Sequence, residues 1–169
     1  AFLILFCLLA SGAHALCGQQ EQLYMSCEIA GRDTHVSICF DEDRIYYRYG
    51  TVDGVPELEL EEPLASVSYI PSSRIGQSVW DEVRFGNGQY TYKIETGFLT
   101  DRENLLEGEW PPAVRFGDIR WGGIDVLRGG EILAELACEF ETINFNQVDL
   151  MEALGIDGVA VWEPWIAPE

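Results

Sequence analysis

Cysteine placement constrains this chain more than any other feature. Four cysteines, Cys17, Cys27, Cys39 and Cys138, lie beyond residue 16. An even number in a small exported domain reads as a disulfide framework. The opening residues point to export. They read AFLILFCLLASGAHA, a short hydrocarbon run followed by Ala13-His14-Ala15, the small-x-small pattern of a signal peptidase site. The apolar run is too short to span a bilayer. We expect residues 1–15 to be the remnant of a secretory signal cut after Ala15, with its start upstream, and the protein to be periplasmic or secreted. Cleavage removes Cys7 and His14 and no formal charge. Residues 16–169 are then expected to form a single domain, with a stapled β core over 17–139 and a helix and tail over 140–169.

The cysteines show no C-x-x-C spacing, which argues against a zinc site or a thioredoxin-like redox pair. Two connectivities are carried forward. The preferred one joins Cys27 to Cys39 and Cys17 to Cys138. In MSCEIAGRDTHVSIC a Gly-Arg-Asp turn separates two short apolar runs, so the first bond would staple a hairpin. The other joins Cys17 to Cys39 and Cys27 to Cys138.

The remaining pattern is mostly strand. In RIYYRYG, Ile45, Tyr47 and Tyr49 fall on one face, and Tyr46 and Arg48 on the other. In PELELEEP, Leu58 and Leu60 alternate with Glu57, Glu59 and Glu61, giving a half-buried strand ended by Pro63. Asn87-Gly88 predicts a type I′ hairpin. With those two residues as the loop, Phe85 faces Tyr90, Val83 faces Tyr92, Glu82 faces Lys93 and Arg84 faces Thr91. Gly129-Gly130 predicts a second hairpin, pairing Leu127 with Ile132 and Arg128 with Glu131. Ile132, Ala134, Leu136 and Cys138 would then share one face. Residues 97–121 read as a long loop with a short strand near Val114–Phe116. Near the end, Asn146 or Asn144 caps a helix carrying Val148, Leu150, Met151 and Leu154, closed by Gly155. The expected fold is all-β: a small antiparallel barrel or sandwich of about 7–8 strands with a short C-terminal helix.

Composition narrows the chemistry. The chain has 10 Lys+Arg against 29 Asp+Glu, a net charge of −19. That argues against direct binding to nucleic acid or to an anionic membrane; it permits a basic protein partner, and equally reads as a solvated acidic surface that keeps an exported protein soluble. Beyond the leader there is one histidine, His35, and one lysine, Lys93. Neither stands in a nucleophile or Schiff-base constellation. No Walker loop, G-x-G-x-x-G or H-E-x-x-H motif occurs, and no cofactor is implied. Carboxylates are plentiful, so Asp81, Glu82, Glu107 and Glu109 are the candidates for a glycosidase-like pair. Asp41-Glu42-Asp43-Arg44 lacks the spacing and glycine of an EF-hand loop and reads as a solvated turn, so no metal site is expected. Trp110, Trp121, Trp162 and Trp165 invite stacking or protein contact. The last two, in VWEPW near the chain end, are the better candidates for contact with a partner.

The order of these pieces resembles a group of small exported bacterial proteins over residues 17–139. The pieces are YMSCEIAGRDTHVSIC, IYYRYG, PELEL, VRFGNGQYTYKI and GGIDVLRGGEILAELAC. More distantly, the layout is similar to bacterial inhibitors of c-type lysozyme of the MliC/PliC kind. Those are exported antiparallel barrels with a cysteine in the first and last strands, a placement matched by Cys27 and Cys138. Their Ser-Gly-x-x-Tyr loop has no counterpart here. YIPSSRIGQSVW occupies a comparable place, with Ser72, Ser73 and Arg74 as the nearest polar equivalents. The resemblance implies a non-enzymatic binder of a basic protein such as lysozyme. An envelope protein of structural role and a carboxylate-based hydrolase are the alternatives. Oligomeric state stays open.

Overall fold

A computed structural model describes residues 17–51, 54–71, 78–99 and 120–156. Its strands form two five-stranded antiparallel sheets packed as a sandwich. The first sheet has the order β10-β1-β2-β3-β4, from β1 (Gln22–Glu28), β2 (His35–Phe40), β3 (Arg44–Gly50), β4 (Leu58–Pro63) and β10 (Asn144–Phe145). The second has the order β5-β6-β7-β8-β9, from β5 (Ser68–Ile70), β6 (Ser78–Asn87), β7 (Tyr90–Leu99), β8 (Arg120–Arg128) and β9 (Glu131–Ala137). Among the described residues one α-helix, α1 (Gln147–Ala153), follows β10. The all-β class is as expected. Among the described residues the strands number ten, because β5 and β10 have only three and two residues, too few to leave a period-2 pattern.

Period-2 patterning sets the inner faces. Ile45 and Tyr47 of β3 are fully buried, while Arg48 between Tyr47 and Tyr49 faces outward. Leu58 and Leu60 of β4 pack on the core, and Glu59 and Glu61 stay exposed. Val36, Ile38 and Phe40 of β2 meet Val83, Phe85 and Ile94 of the opposite sheet in one cluster. Tyr47 bridges the sheets, its ring 5.7 Å from Phe85 and 5.5 Å from Tyr92. Each such large side chain contributes about 1.5–3 kcal/mol by leaving water.

β1 breaks the alternation with a bulge. Leu23 pairs with Cys39 but Met25 with Ile38, so Tyr24 is the extra residue. A bulge re-aims a side chain, and here Tyr24 and Met25 are both fully buried.

The first long hairpin differs from expectation in register at its turn, and the second differs only beyond a bulge. Asn87 pairs with Tyr90, so the loop is Gly88-Gln89 rather than Asn87-Gly88. Gly88 has φ 61 and Gln89 has no positive φ, the pattern of a type II′ turn with glycine first. Phe85 therefore faces Tyr92, Val83 faces Ile94, Arg84 faces Lys93 and Glu82 faces Glu95. The second hairpin turns at Gly129-Gly130 with Leu127 opposite Ile132 and Arg128 opposite Glu131, as expected. Both glycines have positive φ, 60 and 88, which a two-residue I′ turn requires. A bulge follows at Leu133, since Val126 pairs with Ala134. It separates Ile132 from the face shared by Ala134, Leu136 and Cys138, and Ile132 is 48% exposed.

The helix begins at the Asn146 cap, whose Oδ1 accepts from the Asp149 N–H at 3.5 Å, and closes at Gly155 with φ 68. Leu150 and Met151 are buried, but Val148 is exposed and Gln147 takes an inward position instead. Residues 97–99 continue β7, and Val114–Phe116 lie outside the described residues. Among the described residues no helix is long and apolar enough to cross a membrane.

Candidate functional site

The proposed contact residues Ser72, Ser73, Arg74, Trp162 and Trp165 lie outside the described residues, as do Trp110, Glu107 and Glu109. The cysteines, Asp81, Glu82, His35, Lys93, Asp41 and Trp121 are placed.

The preferred cysteine pairing is wrong and the alternative is present. Cys17 bonds Cys39 and Cys27 bonds Cys138, each with Cα atoms 5.6 Å apart. Geometry forbids the hairpin staple. Cys27 lies opposite Val36, three residues short of Cys39. That is roughly 10 Å along a strand, beyond the ~7 Å reach of a disulfide. Cys27 also faces the core with Val36, whereas Cys39 has the other parity and lies outside that cluster. Cys17–Cys39 therefore pins residues 17–21, just before β1, onto the outer face of the first sheet. Cys27–Cys138 closes the seam between sheets, beside an Ile29–Cys138 bridge and bonds from Ala30 N to Ala137 O (2.9 Å) and Glu139 N to Glu28 O (2.8 Å). Cys17, Glu21 and Cys39 lie close together, but both sulfurs are bonded to each other and offer no thiolate.

Asp81 and Glu82 are neighbours on β6, so their side chains leave opposite faces of the sheet. They cannot flank one bond as a catalytic pair.

Asp81 points inward on the parity of Val79, Val83 and Phe85, and it is fully buried. Its Oδ1 accepts from Thr96 Oγ1 at 2.5 Å and from Gln147 Nε2 at 2.7 Å. Its Oδ2 accepts from the Tyr69 hydroxyl at 2.7 Å. Thr96 has one proton and gives it to Asp81, so the Tyr24 hydroxyl donates to Thr96 Oγ1 at 3.2 Å. Burial raises the Asp81 carboxyl above its ordinary range, opposed in part by Thr96, Tyr69, Tyr24 and Gln147. Burial likewise raises the Tyr24 and Tyr69 hydroxyls, which stay protonated and able to donate. The donors come from β1, β5, β7 and α1. The cluster ties both sheets to the helix, buried except at Tyr69, which is half-buried.

The outer face of the second sheet carries a charged ladder. Glu82 is held by Arg84 on its own strand, and Lys93 lies 2.6 Å from Asp125 and 3.4 Å from Glu95. The expected Glu82–Lys93 pair is absent because the hairpin register puts Arg84 opposite Lys93. Burial lowers the Lys93 pKa, but Asp125 and Glu95 outweigh it and hold the group above the ordinary lysine value. Above this ladder Trp121 lies against Gly97.

Most other described cations are also held internally, Arg32 being exposed without an ion pair. Arg48 makes a bidentate contact to Glu21 at 2.6 and 2.9 Å, reaches Glu59 at 2.9 Å, and sits 4.9 Å from the Tyr46 ring centre. Arg44 bonds Glu61 at 2.7 Å. Arg120 and Arg128 lie over the rings of Phe145 and Tyr90. Asp41 closes its own turn, accepting from the N–H groups of Asp43 and Arg44 and from the Tyr46 hydroxyl, and these backbone bonds lower its pKa. His35 opens β2 half-buried, and desolvation lowers its pKa despite nearby Glu28. Among the described residues Glu42, Glu57, Glu131, Glu135, Glu139 and Glu141 are exposed acids without an ion-pair partner.

No family model, curated protein or solved structure matches the chain.

Proposed function

We propose that the protein is an exported, non-enzymatic binder of a basic protein, with c-type lysozyme as the first partner to test. One observation carries this reading. Among the described residues Arg44, Arg48, Arg84 and Lys93 are ion-paired within the fold, Arg120 and Arg128 lie on its own aromatic rings, and Arg32 is exposed without an ion pair. The carboxylates in excess, in a chain of net charge −19, are what a partner meets. Such a field draws in cations and speeds encounter with a basic surface.

Two further features support the reading. Paired disulfides suit an oxidising compartment outside the cytosol. The Cys27–Cys138 bond also joins the first strand to the residue after β9, a long-range link like the first-to-last-strand cysteine placement of the MliC/PliC-type inhibitors.

The test is a turbidity assay of bacterial cell-wall lysis by c-type lysozyme at low ionic strength. Micromolar protein should slow lysis, and added salt should restore it. Unchanged lysis at every protein concentration rules out lysozyme inhibition.

A further inference from the structure

β8 stays paired to β7 up to Arg128, while β9, the edge strand of the second sheet, is uncovered next to its turn. Residues 131–135 of β9 are all exposed. Consecutive strand residues face opposite sides, so a run exposed without alternation has both sides in water. Two of these residues, Ile132 and Leu133, are large and apolar, 48% and 53% exposed. The other large apolar residues exposed among the described ones, Val55, Ile70, Phe140 and Val148, have no such neighbour in sequence. The bulge at Leu133 sets Ile132 beside Leu127 instead of the core row. Glu131 and Glu135 flank the apolar pair, both exposed and both without an ion-pair partner among the described residues. Arg128, opposite Glu131, lies over the Tyr90 ring at 6.0 Å. A tight Gly129-Gly130 turn keeps the tip slim.

We propose that this tip is the contact element for the partner. The exposed edge of β9 inserts into an apolar cleft of a basic protein, with Ile132 and Leu133 against its walls and Glu131 and Glu135 meeting cations on its rim. The proposal rests on the reading that the partner is basic. The occupant follows from charge. A second copy would bring Glu131 and Glu135 against their own kind, and like charges placed opposite one another are unfavourable. A basic surface offers the complement. The arrangement, an apolar centre with a charged rim, is the usual anatomy of a contact surface.

The experiment measures equilibrium binding to c-type lysozyme at low salt. It compares the wild type with Ile132→Ser/Leu133→Ser and Glu131→Lys/Glu135→Lys. Val148→Ser and Glu152→Lys, on α1, are the controls. Each tip variant should weaken binding about tenfold or more, as loss of a central anchor does, and the controls should stay within about twofold, as scattered surface positions do. Binding by the wild type that survives both tip variants overturns the inference and leaves the basic-partner reading intact. No binding by the wild type overturns both. Hydrogen exchange of the wild-type complex keeps the test independent of variant folding. Slowed exchange at residues 131–135 supports the tip as the contact, and unchanged exchange there overturns it.

Discussion

Thr96 Oγ1 lies 2.5 Å from Asp81 Oδ1, directly across the β6–β7 ladder. This cross-strand pair sits in the middle of an apolar interior and collects Tyr24, Tyr69 and Gln147 around it. A buried polar group is costly unless it is bonded. Here every donor comes from a different element, so the cluster can be satisfied only in the native arrangement.

The raised Asp81 pKa fixes the sign of a pH effect. Unfolded, the group titrates near 3.8; folded, it holds its proton to higher pH. The folded state therefore binds more protons in between, and this contribution to stability is lost as pH rises through the folded value. The stability of wild type relative to Asp81→Asn should fall from pH 4 to pH 7, read by denaturant titration. A difference that stays constant or grows over that range contradicts a raised Asp81 pKa in the folded state.

The disulfides should differ in worth. The loops closed span 22 and 111 residues. Chain entropy gives about 3.4 kcal/mol for the shorter and about 5 kcal/mol for the longer. Cys27→Ala/Cys138→Ala should thus cost more than Cys17→Ala/Cys39→Ala in thermal or denaturant unfolding. The reverse order would mean that the seam bond does not constrain the sandwich. Peptide mapping without reductant should recover Cys17 joined to Cys39.

Gly97 should resist substitution. A Cβ there would fall 2.5 Å from a ring atom of Trp121 and 2.7 Å from the Val79 carbonyl oxygen. The backbone oxygen cannot swing away, so Gly97→Ala should cost about 1–3 kcal/mol as overpacking does. An unchanged melting temperature would show that Trp121 does not occupy that position.

Much of the fold was legible because its signals are local. Tyr47 and Leu60 declare their faces by alternation, Gly129-Gly130 declares a turn, and Asn146 declares a cap. Register was less legible. Asn87-Gly88 has the composition of an I′ loop, but Gly88 takes the first loop position and moves every cross-strand pair. The cysteine error could have been avoided, since Val36, Ile38 and Phe40 share a parity that Cys39 lacks. The Asp81 cluster left one trace, a carboxylate on the parity of Val79, Val83 and Phe85. Its partners were invisible, because Tyr24 reaches it through a bulge, Tyr69 from a three-residue strand and Gln147 from a helix 66 residues away.

Arg48 offers a second pH test with the opposite sign. Its bond lowers the Glu21 carboxyl below 4.5. That stabilisation is present above pH 4.5 and is lost as pH falls through the folded value. Arg48→Ala should cost about 1.5–3 kcal/mol at pH 7, as charged hydrogen bonds do, and less at pH 3. A penalty that does not shrink on acidification contradicts the Glu21–Arg48 pairing.

The reading of an acidic binder stands or falls on the rate at which it meets a basic protein. Association with c-type lysozyme, followed by surface plasmon resonance from low salt to about 0.5 M, should slow at least tenfold as the charges are screened. An association rate that does not change with salt, or no complex at micromolar protein in low salt, would contradict it.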